Sequence, residues 1–329
     1  MAKILRCIDS KAFRVQIDSN GRAYYQSPLH DELLPIRGLE GPVVDGSAGA
    51  QHFSLTGEDG SLYIGHRTAV KRIKTLFTDK LLSASCGSKH TTAVFSNGCV
   101  FMNVEQQWLR IPLPVKAVRA FSGYGVSAAI GEDSQLYTWG NNHWQQLGRA
   151  GNNDIGKVAV PGGVVDFGFG ANFACALNTE GALYVWGWKR IARPQKMKAR
   201  FPYSRLAVGA GFICAASQSD RHQVFMTGNV NGKRCHNVIQ RQPFTVSCLR
   251  GGWCTNEVSA EYGFEPEFQP SASQPLDLRE IRWRRRRLML LCVEVEQKRR
   301  ARRLPRACSD GLWSYKLPQD AWHTIITFL

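Results

Sequence analysis

A phrase of glycine, two variable residues, an apolar stretch, a tight turn and a second apolar stretch recurs along the first 260 residues, and no other feature restricts the fold as much. The fullest copy runs Gly170-Ala171-Asn172-Phe173-Ala174-Cys175-Ala176-Leu177, then Asn178-Thr179-Glu180-Gly181, then Ala182-Leu183-Tyr184-Val185-Trp186-Gly187. Small, β-branched and aromatic residues on either side of a Glu-Gly turn predict two antiparallel strands. Counted from Ser10, Gly49, Gly87, Gly123, Gly170, Gly209 and Gly251, the copies are spaced by 39, 38, 36, 47, 39 and 42 residues. A unit of this size is one small sheet that cannot bury both faces alone. Packing such sheets around an axis supplies the missing core and leaves only short edges open. The period therefore predicts an all-β, seven-bladed propeller over residues 1–260, a single domain where a length of 329 residues alone would suggest two.

Three pieces of the repeat carry a family resemblance. They are Gly87-x-x-His90 ahead of an apolar strand, Leu136-Tyr137-Thr138-Trp139-Gly140, and the string Trp139-Gly140-x-Asn142-x-x-x-Gln146-Leu147-Gly148. Together they resemble the RCC1 (regulator of chromosome condensation) repeat over roughly residues 1–260, most closely from 87 to 230. The resemblance implies the same seven-bladed propeller. WD40 repeats share the period but end in Trp-Asp, where this chain has Trp-Gly. The chain departs from the family pattern at Val126, Phe173, Phe212 and Cys254, which stand where His52 and His90 carry the family's histidine. It departs again at Gln145, in place of the usual glycine, and the copy from Gly251 has no recognisable second strand.

The residue types that carry chemistry read mostly as structure. His52 and His90 recur at one repeat position and are expected to hydrogen-bond inside their own blades, because buried polar groups need partners. Cys175 and Cys214 share a position filled elsewhere by Thr92 and Ala128, so they read as small packed side chains. None of the ten cysteines forms a C-x-x-C pair, which disfavours a zinc site. The segment Gly228–Arg234 has its glycines one residue too close for a phosphate loop, with Arg where magnesium would need Ser or Thr. No nucleophile, base or carboxylate pair stands out. The expectation is therefore a non-enzyme without cofactor or metal.

Candidate contact residues are the aromatic and imidazole side chains of loops between strands: Trp108, His143, Trp144 and Trp188. Such residues are enriched in binding hot spots. Basic residues Lys189, Arg193, Lys196, Lys198 and Arg200 suggest a positive loop beside them.

The net charge of +16 is uneven, since residues 277–329 hold 13 basic against 6 acidic residues. A Pro- and Ser-rich linker is expected at 261–276, and a basic helical tail at 277–329. In that tail Arg284, Arg285, Arg286 and Arg287 precede Lys298, Arg299, Arg300, Arg302 and Arg303, a pattern like a bipartite nuclear-import signal that an importin would read. The same cluster could grip phosphates, so direct nucleic-acid contact stays open. At the end, Leu317, Pro318, Trp322, Ile325, Ile326 and Leu329 form an apolar stripe that resembles the start of an F-box, a resemblance that implies a Skp1-like adaptor of a ubiquitin ligase as partner. No apolar run reaches the 18 residues of a membrane span. With an acid and two bases at positions 3–9 in place of a signal peptide's apolar stretch, an intracellular chain, nuclear or cytoplasmic, is expected. The principal functional expectation is a protein-interaction scaffold or adaptor. The alternatives are guanine-nucleotide exchange on a Ran-like small GTPase, implied by the RCC1 resemblance, and an F-box-type substrate receptor.

Overall fold

In the fullest repeat copy, Phe173–Asn178 pairs antiparallel with Leu183–Gly187, as the sequence predicts. Two further strands complete the sheet: Val164–Phe169 beside the first and Ile191–Lys196 beside the second. This comes from a computed structural model of the chain, which describes residues 4–263 apart from 28–31, 74–78, 105–106, 152, 221, 231–232, 243–244, 253 and 256–258.

The same four-stranded antiparallel order occurs six times, in sheets that open with Ile4–Asp9, Val43–Ala48, Leu81–Cys86, Ala117–Ser122, Val164–Phe169 and Tyr203–Gly209. These opening strands pack on one another from sheet to sheet, so they form the inner wall of the ring. A seventh inner strand, Thr245–Arg250, pairs with Ser259–Gly263 in a two-stranded sheet. The expected seven blades are thus corrected to six four-stranded blades and a two-stranded seventh sector among the described residues. The cause is visible in the sequence, because the Leu-Tyr-x-Trp-Gly phrase that supplies third strands elsewhere has no counterpart after Gly251.

The second strands His90–Phe95, Val126–Gly131, Phe173–Asn178 and Phe212–Ser217 are buried at every position. A strand sandwiched by neighbouring blades on both faces has no solvent side, so it loses the polar alternation of a one-sided sheet. Between blades 4 and 5 the core comprises Leu136, Leu147, Val158, Phe167, Phe169 and Trp186. Each large apolar side chain buried there contributes about 2–3 kcal/mol.

The recurring glycine marks the bend from first to second strand. The ring three residues later folds back on it: a Cβ at Gly170 would lie 2.0 Å from Phe173, and one at Gly87 would lie 2.3 Å from His90. The histidines then bond differently from expectation. His52 Nε2 lies 2.8 Å from Thr91 Oγ1, and His90 Nε2 lies 2.9 Å from Ser127 Oγ. Both partners belong to the next blade, so these bonds run between blades, not within them. Backbone bonds repeat the pattern: Ala50 N–H donates to Gly87 O, Ser88 N–H to Gly123 O and Ala171 N–H to Ala210 O. Burial lowers His52 and pushes the His90 imidazole down to about 4, with the neighbouring histidine adding to the effect in each case. Both rings are therefore neutral at neutral pH. Burial likewise raises Cys86 to about 11 and raises Cys175 and Cys214, which matches small packed side chains rather than reactive thiols.

Candidate partner-binding surface

The 47-residue interval between Gly123 and Gly170 includes the stretch 141–151, which joins the third and fourth strands of blade 4. Its polar residues fold it on itself. Asn142 Oδ1 accepts the Leu147 N–H at 3.1 Å, while Asn142 Nδ2 donates to Arg149 O at 3.2 Å and Gly151 O at 3.0 Å. Thr138 Oγ1 donates to Leu147 O, and Leu147 itself is fully buried. From blade 5, Trp186 Nε1 donates to Gln146 O at 2.8 Å. Gly148 has a left-handed backbone, φ +69°, and a Cβ there would sit 2.6 Å from Trp186 Nε1, so both conformation and space demand glycine. The string that carried the family resemblance is therefore the part of the loop that locks blade 4 to blade 5. Locking Asn142, Gln146 and Leu147 inward leaves His143 exposed and Trp144 half-buried at the loop's outer edge.

The neighbouring turn, Gly187-Trp188-Lys189-Arg190, joins the third and fourth strands of blade 5. Trp188 and Lys189 have φ of 54° and 61°, and Arg190 N–H donates to Gly187 O at 3.1 Å. Positive φ at both central residues is the pattern of a type I′ hairpin turn, which ordinarily takes Asn-Gly. Left-handed backbone costs about 1–2 kcal/mol for each ordinary residue.

Tertiary contacts hold this conformation. Trp188 N–H donates to Asn172 O at 2.8 Å, and Lys189 N–H donates to Trp144 O at 3.0 Å. The Trp188 ring stacks on Phe173 with centroids 4.5 Å apart and planes 10° off parallel. Lys189 Nζ lies 4.6 Å from the centre of the Trp144 ring, and His143 meets the same indole edge-on at 5.3 Å. Trp188 nevertheless stays 42% exposed, beside exposed Lys189 and Arg190. The surface so formed offers two indoles and two cations. It can take an apolar side chain and pair with a carboxylate.

Three of the four aromatic or imidazole candidates, His143, Trp144 and Trp188, thus come together. Trp108 does not: it sits on the outer strand Gln107–Ile111, opposite Asn103, against a core that includes Leu62, Leu81 and Phe95. Sequence reasoning missed Phe173 as the platform for Trp188. The signal was present, since Phe173 replaces the repeat histidine in the blade that carries Trp188. The basic stretch is not one loop. Arg193 and Lys196 lie along the outer strand Ile191–Lys196, and Lys198 and Arg200 lie beyond its far end. The import-like residues from Arg284 to Arg303 and the F-box-like residues from Leu317 to Leu329 fall outside the described residues. Among the described residues, no group of three or more His, Cys, Asp or Glu is placed to hold a metal ion. No helix there is long and apolar enough to cross a membrane.

The family model described as "Regulator of chromosome condensation (RCC1) repeat" matches residues 164–188, the stretch that ends at Trp188. The chain is 29% identical to the Arabidopsis thaliana ultraviolet-B receptor UVR8, over 70% of this chain and 54% of the receptor. It is 23% identical to human E3 ubiquitin-protein ligase HERC2, over 67% of this chain and 6% of the ligase. The chain thus spans about half of one relative and a small fraction of the other. Among solved structures it superposes on yeast RCC1 (Prp20), crystallised bound to Kap60, with a TM-score of 0.65 at 14% identity, covering 80% of this chain and 81% of that one. That likeness shows a common propeller fold.

Proposed function

We propose that this chain, whose propeller is built of RCC1-type repeats, is a non-catalytic protein-interaction scaffold, and that its partner docks on His143, Trp144, Trp188 and Lys189. One observation carries the reading: an exposed indole and an exposed ammonium are held in a strained turn that neither residue favours. Strain of this kind persists where surrounding contacts over-determine it, and it clusters at binding and switch sites. Exposed aromatic residues on a rigid platform are also the side chains from which binding hot spots are built. The cations beside them favour a partner that presents an apolar residue next to an acidic one.

In the same proposal the chain divides into the propeller (1–260), the linker (261–276) and the tail (277–329). The basic stretch 284–303 is assigned an importin-type contact and nuclear entry, on its clustered charge. The test uses the full chain and the variant Trp188→Ala/Lys189→Glu in parallel affinity captures with mass-spectrometric readout. A specific partner present with wild type and reduced by about tenfold or more in the variant supports the docking surface. An identical captured set overturns it. Nucleotide-release assays on Ran-like GTPases separate scaffold from exchange factor: acceleration lost in the same variant would make exchange the purpose of the contact.

A further inference from the structure

Val44, Leu82, Val118 and Val165 are 42, 53, 43 and 46% exposed. They occupy one place in four successive inner strands, the second residue, and each is the extra residue of a β-bulge. The inner strands of the other sectors carry their bulges at Leu5, Ser204 and Ser247. A bulge takes its residue out of the ladder and re-aims it. Here the repetition builds an arc of apolar side chains where the inner strands begin, at the mouth of the ring opposite the Trp188 turn. Scattered apolar residues on a surface need no explanation, whereas an exposed apolar side chain repeated at one place in four successive blades does.

We infer that this arc is the docking site for the chain's own apolar stretch Leu288-Met289-Leu290-Leu291-Cys292-Val293. Two observations select that occupant. Ser259–Gly263 runs antiparallel to Thr245–Arg250 and places Gly263 opposite Thr245, so the chain arrives at this mouth and not the other. From Gly263 to Leu288 the chain can extend about 80 Å, enough to reach across the mouth. Exit and reach therefore agree with the apolar match.

The test uses the full chain. In Val118→Cys, a short bismaleimide should join the introduced thiol to that of Cys292, with a yield that does not change over a tenfold range of protein concentration. Absence of that cross-link, or its formation only between chains, overturns the inference, the second result assigning the arc to another copy. Independently, trypsin should cut at Arg284–Arg287 about tenfold faster in Leu82→Asp/Val118→Asp than in wild type, because cleavage follows the population of the undocked segment. Equal rates overturn the proposal. The cysteine variant decides the question if the aspartate variant does not fold.

Discussion

The two mouths of the propeller are made by one repeat, and side chains brace the blades to one another at one of them while backbone alone does so at the other. At the glycine-loop mouth, structure is borrowed from the next blade: His52 reaches Thr91, His90 reaches Ser127, and Trp186 holds the 141–151 loop through Gln146 O. At the turn mouth the bonds between blades are made by backbone alone, Val43 N–H donating to Gly21 O, Leu81 N–H to Gly60 O, Ala117 N–H to Gly98 O, Val164 N–H to Ser134 O and Tyr203 N–H to Gly181 O, and the side chains bond within their own hairpin. Asp18 Oδ1 accepts the Asn20 and Arg22 N–H groups, Asp133 Oδ1 accepts that of Gln135, and Asn178 Oδ1 accepts those of Glu180 and Ala182. These short-range Asx bonds need no neighbour. The difference shows how one repeat can keep a generic end and a specialised end. Side-chain bonds that cross blades can be altered in pairs to build a site, whereas backbone bonds repeat unchanged whatever the side chains.

Truncation of the residue that locks blade 4 to blade 5 should break the comparison most forcefully. Trp186→Ala should lower unfolding free energy in urea by about 3–5 kcal/mol, as for a fully buried aromatic. It should also free the amide of Leu147 to exchange with solvent, although Leu147 lies in the other blade. A loss confined to blade 5 would deny that this mouth is cross-braced.

Acidification probes the same bracing. His90 and His52 titrate lower in the fold than in the unfolded chain, so the unfolded chain binds the extra protons. Stability is complete above about pH 6.5 and falls as pH drops toward 4. The His90 contribution reaches about 3 kcal/mol there. His90→Gln should flatten that slope in thermal melts, and an unchanged slope would remove the histidines as its cause.

At the turn mouth, Asp133→Ala should cost about 1 kcal/mol, the usual value of such hydrogen bonds. Faster hydrogen exchange should be confined to residues 131–137 and Val164, whose N–H donates to Ser134 O. Exchange that spreads further into blade 5 would show the two mouths to be alike. Smallest of all, Lys189→Gly relieves left-handed strain while losing a cation–π contact, so stability should move by less than about 1 kcal/mol while partner capture falls.

Much of this was legible because repetition reveals what a single copy hides. The phrase around Gly170 announced the second and third strands of every full blade, and its turn residues announced the hairpins. First strands were harder to see. Val43–Ala48 and Val164–Phe169 precede the glycine that anchors the phrase, and their bulges break the alternation by which strands are recognised. The histidine partners were hidden for another reason, since a bond spanning 39 residues leaves no local mark. The candidate surface was half legible. Exposed aromatic residues could be picked out, but Trp-Lys carries no turn signal, and only contacts with Phe173 and Trp144 make that turn.

The two-stranded seventh sector has a consequence for how the ring comes apart. Toward the first two blades, the Cys254 sulfur lies 3.7 Å from Gly49 O and 3.8 Å from Ser10 Oγ, whereas toward blade 6 Val246 and Leu249 share a buried core with Phe212 and Cys214 and Ala210 N–H donates to Thr255 O. Among the described residues, no strand from the chain's start is laid into the last sheet to clasp it. Mechanically, the molecule is a row of blades bent until its ends touch, and such a row has a natural place to part. A pulling force applied across Ser10 and Thr255 would meet its weakest resistance at this seam, and the blades would then peel away one after another rather than yield as a closed hoop.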